Sequence, residues 1–376
     1  MKKLGFGCMR LPLLDKRDQT SFDVETFNSM VDTFLARGFE YFDTAYTYHV
    51  YRAEAAVRES LVKRYDRDRF KLATKMPMRD FNSQEDMERI FTEQLENCGV
   101  EFFDYYLLHN IGVTSYKKAC DYDSFGFCLR KKQEGRILNF GISFHDTPEL
   151  LDEILTSHPE LDFVQLQINY ADWENPGIQS RKCLEVARRH GKPVVVMEPV
   201  KGGNLVNMPS LAEKLMKEYD PEASVPSWAI RYAASQKGVF MVLSGMNTME
   251  QLLDNTSYMA EFKELNKDEN EIIRQVTSIL NEDTAIACTT CRYCEKDCPM
   301  NIAIPDYFAL YNSASRSAMS NEILFYMNLA TNHGRAKDCI ACGQCESVCP
   351  QHLHIIDHLK DVSAKFDITF AFTTKK

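Results

Sequence analysis

Up to about residue 280, short aliphatic and aromatic runs alternate with longer segments whose apolar residues recur at helical spacing. The runs cover residues 4–9, 40–44, 70–75, 103–109, 137–143, 163–169, 193–198 and 239–244. Amphipathic stretches such as 22–37, 54–64, 84–98 and 181–190 lie between them. Strands that are apolar on both faces belong in a parallel sheet covered by helices. Eight strand-then-helix units therefore predict an α/β chain closed as a (β/α)8 TIM barrel. A doubly wound open sheet is the alternative, but no G-x-G-x-x-G follows the first run. Asn266 and Glu269 form a capping-box pattern for a helix at about 268–281 that ends the barrel.

Beyond that helix the pattern changes, which divides the chain into residues 1–282 and 283–376. The second part has helical runs at 306–313 and 322–331, set between two cysteine clusters. The tail, 363–376, is apolar and β-prone. The first cluster is Cys288, Cys291, Cys294 and Cys298 with Pro299 after it; the second is Cys339, Cys342, Cys345 and Cys349 with Pro350 after it. Both read C-x2-C-x2-C-x3-C-P and resemble the run that holds [4Fe–4S] clusters in bacterial-type ferredoxins. The longer link between them resembles the helical ferredoxins that serve as electron-relay domains.

That resemblance implies two [4Fe–4S] clusters with crossed ligands. One takes Cys288, Cys291, Cys294 and Cys349; the other takes Cys339, Cys342, Cys345 and Cys298. Zinc is the alternative, but zinc sites stop at four ligands and do not favour three x2-spaced cysteines before a Cys-Pro. Cys8, Cys98, Cys120, Cys128 and Cys183 have no ligand spacing and read as small buried apolar residues. His352, His354 and His358 read as solvated surface, and the charged run 64–69 as an exposed helix end.

The formal net charge of -10 argues against a nucleic-acid surface, which needs a basic stripe. No apolar run reaches the length of a membrane span. The apolar stretch before Cys8 is too short for a signal peptide, so the chain reads as cytoplasmic, with its cysteines as thiols or metal ligands.

In a barrel of this kind, chemistry gathers at the carboxyl ends of the strands. Those ends carry Asp43, Lys75 and His109, and Tyr48 follows in the loop after Asp43. An acid, a lysine, a tyrosine and a histidine converging on one rim outweigh the bland reading of Asp43 as a helix cap. With Gly38-Phe39-Glu40-Tyr41-Phe42-Asp43-Thr44-Ala45-Tyr46-Thr47-Tyr48, Ala73-Thr74-Lys75, Tyr106-Leu107-Leu108-His109 and Gly141-Ile142-Ser143, residues 4–255 resemble the aldo-keto reductase superfamily.

The resemblance implies a (β/α)8 barrel that reduces carbonyls with NADPH, its catalytic tetrad falling on Asp43, Tyr48, Lys75 and His109. Tyr48 would protonate the carbonyl oxygen, Lys75 would lower the phenol's pKa, Asp43 would anchor Lys75, and His109 would orient the oxygen. Tyr46 competes for the acid role at the wrong spacing. The nicotinamide contacts fall on Ser143, Gln165 and Met197, and the adenosine contacts on Gly245, Asn247, Gln251, Asp254 and Asn255.

This chain departs from the family's pattern in three places. Ser143 is followed by Phe144 and His145 rather than by Asn. Met197 stands where many members stack a Tyr. Gly245 and Gln251 replace the Lys and Arg that neutralise a 2′-phosphate, so NADP, NAD and no nicotinamide are alternatives. Lys201-Gly202-Gly203 is either a pyrophosphate contact or a turn.

The sequence thus implies an oxidoreductase acting on a small carbonyl or alcohol and passing electrons through two clusters to a ferredoxin- or flavodoxin-type carrier. Hydride and single electrons do not interconvert directly, so a direct relay requires a flavin or a substrate radical, and no sequence feature marks a flavin site. The alternatives are clusters with a structural or sensing role, and a non-catalytic carrier or regulatory subunit that uses the barrel for docking.

Overall fold

The computed structural model describes residues 1–282, 284–296, 298–315 and 321–367. Its sheet comprises β1 (Leu4–Gly7), β2 (Tyr41–Asp43), β3 (Lys71–Pro77), β4 (Phe103–Ile111), β5 (Ile137–Phe144), β6 (Phe163–Gln167), β7 (Val194–Met197) and β8 (Val239–Ser244). Every neighbouring pair is parallel, and β8 returns to β1 through Leu4↔Val242 and Phe6↔Ser244. This closure excludes the open-sheet alternative. Tyr41, Ala73, Leu107, Phe163, Val195, Met241 and Leu243 fill the barrel's interior. Gly5 is required there, since a Cβ would lie 2.8 Å from Leu243 and 2.9 Å from Tyr41.

Helices α1 (Val24–Ala36), α2 (Ala53–Val57), α3 (Gln84–Cys98), α4 (Val113–Asp121), α5 (Ser124–Gln133), α6 (Pro148–Ser157), α7 (Ser180–Arg189), α8 (Ser210–Tyr219), α9 (Val225–Ser235), α10 (Met249–Met259) and α11 (Lys267–Glu282) follow or flank the strands. Their ends are set locally. Asp23, Ser83, Thr147 and Thr248 each accept a backbone N–H of the first turn, and Gly99 ends α3 in the left-handed conformation. The expected capping box is formed: Asn266 Oδ1 accepts from Glu269 N at 2.9 Å, and Glu269 Oε2 accepts from Asn266 N at 2.8 Å.

One expected helix differs. The 54–64 stretch leaves the α pattern after Val57 and widens into a π-helical turn over Arg58–Val62. Lys63 N then reaches Arg58 O at 3.0 Å, and the wider turn keeps both Val57 and Leu61 fully buried.

The second part adds α12 (Tyr293–Lys296), α13 (Ile304–Ala314), α14 (Glu322–Asn332), α15 (Gln344–Ser347) and α16 (Ile355–Phe366) around its own core of Tyr307, Phe308, Leu310, Phe325, Tyr326, Leu359 and Phe366. Ser363 to Phe366 complete α16 rather than extending as a strand, because Phe366 packs on Tyr326. The rest of the β-prone tail, 368–376, lies outside the described residues. The module seats on the barrel's carboxyl rim, where Ile178 from the β6–α7 loop joins the module core. A Cβ on Gly177 would lie 2.8 Å from Leu310. Among the described residues no helix is long and apolar enough to cross a membrane.

Candidate active site and cluster cradles

At the carboxyl end of β2, Asp43 accepts from Lys75 Nζ of β3 at 2.7 Å, and the same ammonium donates to Thr44 O at 2.7 Å. Lys75 Nζ stands 5.1 Å from the centre of the Tyr48 ring. That ring meets His109, near the end of β4, edge to face at 5.8 Å. The four expected residues therefore occupy one place, brought together by three stretches of chain: β2 with the loop after it, β3 and β4.

Their electrostatics follow from burial and from one another. Burial opposes the charge on Lys75, but Asp43 and Tyr48 outweigh it and hold the ammonium above its ordinary value. Burial pushes Asp43 up against the pull of Lys75. His109 is driven well below its usual range by burial, with Lys75, His145 and Arg79 adding to it, so its imidazole is neutral near pH 7. Tyr48 differs from the sequence expectation. Burial raises its phenol above the ordinary value, Lys75 pulls it down, and Asp43 and Glu198 add to the rise, so the net shift is upward. Lys75 offsets the burial without reversing it.

These residues open into a cavity of about 610 Å³, of the size that holds a cofactor or a small ligand. Ser143, Gln165, Met197, Gly245, Asn247, Gln251, Asp254 and Asn255 line the same cavity. Gln165 Oε1 is buried there without a hydrogen-bond partner, an atom that a ligand amide would satisfy. Ser143 Oγ accepts from Asn110 N at 2.8 Å, which braces the left-handed Asn110 and the irregular end of β4. Several of the others are already engaged: Gln251 Oε1 accepts from Asn247 N at 2.8 Å, and Asp254 accepts from Ser224 Oγ at 2.7 Å. Asn255 joins Ser244 Oγ and Tyr258 OH.

Three readings resolve differently. Tyr46 points out of the barrel, its hydroxyl donating to Glu93 at 2.6 Å, and does not line the cavity. Of Lys201-Gly202-Gly203, the two glycines line the cavity, while Lys201 turns away to Asp172 and, at 2.8 Å, to Glu322 of the module. Cys120 is exposed, unlike the buried Cys8, Cys98, Cys128 and Cys183, because it sits on the outer face of α4.

Sequence reasoning missed the wall formed by Arg10, Glu198, Asn321 and Leu324. The first two form an ion pair at 3.7 Å. The last two come from the module, and contact over that sequence separation leaves no local signal. His145 was visible only as a departure from a pattern, and it also lines the cavity. Burial lowers its imidazole to about 4.

The eight module thiols stand around two hollows. Cys288, Cys291, Cys294 and Cys349 line one; Cys298, Cys339, Cys342 and Cys345 line the other. The grouping sets Cys349 with the first run and Cys298 with the second, as crossed ligation would require. They surround each hollow rather than meet at a point, and among the described residues no three ligating side chains are gathered as for a lone ion. The two halves repeat one another in detail. Thr290 and Arg292 have left-handed backbones, as do Ala341 and Gly343, and Asn301 matches His352. Cys291 and Cys342 are exposed, whereas Cys294 and Cys345 are buried.

Left-handed non-glycine residues cost free energy and persist where the surroundings over-determine them. A loop wrapped on a cluster is such a surrounding. Burial pushes Cys294 up to about 12 and Cys345 up to about 11, beside other thiols in each case, so bound cations are what would hold four thiolates together. Nearby, His352 and His354 are exposed and His358 is half-buried against Phe308. Arg67, in the charged run, is half-buried through Asp104.

Residues 3–278 match the model of the aldo/keto reductase family, and residues 287–354 match that of the 4Fe-4S dicluster domain. Among solved structures, the barrel is similar to the aldo-keto reductase AKR11C1 from Bacillus halodurans in its holo form, at 24% identity and a TM-score of 0.59. That match covers 73% of this chain and 91% of the other. It is also similar to an aldo-keto reductase from Klebsiella pneumoniae in complex with NADPH, at 17% identity and a TM-score of 0.57, over 73% of this chain and 90% of the other. No curated protein matches the chain.

Proposed function

Because the chain belongs to the aldo/keto reductase family and carries a 4Fe-4S dicluster domain, we propose that it reduces a small carbonyl, or oxidises the matching alcohol, at the Asp43–Tyr48–Lys75–His109 site. The observation that carries this reading is the buried Asp43–Lys75 ion pair, set beside Tyr48 and His109 at the head of one cavity. Tyr48 gives its proton to the carbonyl oxygen. Lys75 carries the positive charge that steadies the phenolate left behind, and Asp43 fixes Lys75. His109, neutral, offers a hydrogen bond that orients the oxygen.

The nicotinamide, when bound, supplies the hydride. Gln165 Oε1, unpaired in the cavity, and the Ser143 hydroxyl would hold its carboxamide, with Met197 against the ring. Gly245, Asn247, Gln251, Asp254 and Asn255 would line the adenosine end. The NADPH-bound relative supports a nicotinamide, and Gly245 and Gln251 leave room for either NADH or NADPH. The two clusters, when bound, pass single electrons, for which a ferredoxin- or flavodoxin-type carrier is the fitting partner. A cytoplasmic location suits its reduced thiols.

The test is anaerobic turnover of a carbonyl panel with NADH and NADPH, with cluster absorbance followed in the same cuvette. Tyr48→Phe should lower kcat about 100-fold or more while leaving the cluster spectrum unchanged. An unchanged rate in that variant, or no nucleotide binding by the wild type, sinks the reading. Bleaching of the clusters by a reduced ferredoxin- or flavodoxin-type carrier is the result expected of an electron relay, whereas bleaching by nucleotide would require a bound one-electron mediator such as a flavin.

A further inference from the structure

The catalytic cavity is not closed by the barrel alone. Asn321 and Leu324, at the start of α14, are part of its wall, and both are half-buried. The same helix reaches a barrel side chain that the proposed chemistry does not use. Phe325 meets the His145 ring edge to face at 5.8 Å, and Asn328 Nδ2 donates to His145 O at 2.7 Å. His145 is buried and lines the cavity, yet its Nδ1 has no hydrogen-bond partner. A buried imidazole nitrogen left unpaired beside a cavity is costly unless a ligand satisfies it.

The seat of α14 is specific. Glu322 is buried in an ionic cluster with Lys201, Asp172 and Ser313. Gly112 accommodates Asn328, since a Cβ there would lie 2.2 Å from Asn328 Nδ2.

We propose that α14 of the dicluster module is the specificity wall of the carbonyl pocket: Leu324 and Asn321 meet the substituent of the substrate, and His145, braced by Phe325 and Asn328, hydrogen-bonds it. The proposal rests on the carbonyl-reductase reading for the identity of its ligand. The ligand class is a small ketone or aldehyde with an apolar arm toward Leu324 and a polar group within reach of His145. Because α14 lies between the two cysteine runs, the module's fold and the shape of the pocket are set together.

The experiment uses the full, cluster-loaded chain and a graded ketone series, acetone, cyclohexanone and acetophenone. Binding is measured by calorimetry and kcat/KM in turnover. Leu324→Ala should shift the preference toward acetophenone over acetone by about tenfold, and Leu324→Phe should shift it the other way, since one or two methylenes in an apolar pocket discriminate by about that factor or more. Asn328→Ala should raise KM for hydroxyacetone, which adds a polar group to acetone for His145 to bind, more than it lowers kcat and more than it raises KM for acetone, and Asn328→Gln should recover part of the loss. Cluster absorbance and nucleotide affinity should remain at wild-type values, which separates these effects from misfolding.

Equal scaling of all three ketones in both Leu324 variants, uniform loss included, overturns the proposal. So does the absence of any ketone binding to the wild type. Wild-type ketone binding without nicotinamide-dependent turnover would instead overturn the carbonyl-reductase reading, and the Leu324 variants would then be judged by their binding alone.

Discussion

Tyr48 is pulled both ways, upward by burial and downward by Lys75, and burial prevails. Carbonyl reduction needs the protonated phenol. A folded pKa above the ordinary value of about 10 keeps the acid form across the neutral range. The rate of reduction should therefore stay level with pH from 6 to 9 and fall only above the phenol's raised pKa. The reverse alcohol oxidation, which needs the phenolate, should climb throughout that range. Paired pH–rate profiles check this, and a reduction rate already falling between pH 7 and 9 contradicts it.

A second residue prediction concerns Gly334, where a Cβ would lie 2.2 Å from the carbonyl oxygen of Met300. Backbone cannot swing aside as a side chain can. Gly334→Ala should destabilise the module by about 1–3 kcal/mol, read as a lower module melting temperature. That Asp43, Tyr48, Lys75 and His109 would gather at one rim was legible because three of them fell at strand ends and the fourth in the loop after the first. The outward turn of Tyr46 was not, since facing within a loop depends on partners such as Glu93 that lie far away in sequence.

Helix α14 illustrates what periodicity supplies and what it withholds. Its existence was readable over 322–331, and the observed bounds are Glu322–Asn332. Its seat was not, because Lys201 looked like a cavity residue and Glu322 like a helix start. In the fold, burial opposes the charge on Lys201, while Asp172 and Glu322 outweigh it and hold the ammonium charged. Lys201→Ala would take the shared ammonium from Asp172 and Glu322 and should cost about 3–5 kcal/mol in denaturant unfolding. Glu322→Gln, which keeps a hydrogen-bonding group, should cost less. Equal effects of the two changes would show that the cluster is not ionically coupled. The π-helical turn at Arg58–Val62 was likewise hidden, since a single added residue per turn barely disturbs an apolar pattern of period 3.6.

At the scale of the molecule, the barrel and the module have separate cores joined along one rim. Iron chelation should therefore unfold the module while leaving the barrel's parallel sheet intact. Far-UV circular dichroism should lose part of its helical signal in that step, and the remainder should melt later as a second transition. A single concerted loss would show that the barrel depends on the clusters. The closed sheet was readable from its eight repeated units, whereas the crossed grouping of the thiols came from the resemblance to two-cluster ferredoxins, since spacing alone does not say which hollow the fourth cysteine joins. The rim contact was not readable, for it joins surfaces that each half presents only once folded.

The buried Lys201–Glu322 contact also implies an order of events. The Glu322 carboxylate reaches its buried place against the Lys201 ammonium of the β7–α8 loop, so the docking of α14 draws on a barrel loop that is already folded. Domains emerge from synthesis with the N-terminal one first. The barrel would thus present a finished receptor, with Lys201 already held by Asp172, before the cluster-bearing segment exists. On this view the module docks onto a barrel that is already folded, and assembly of its metal centres coincides with the sealing of the pocket beneath it.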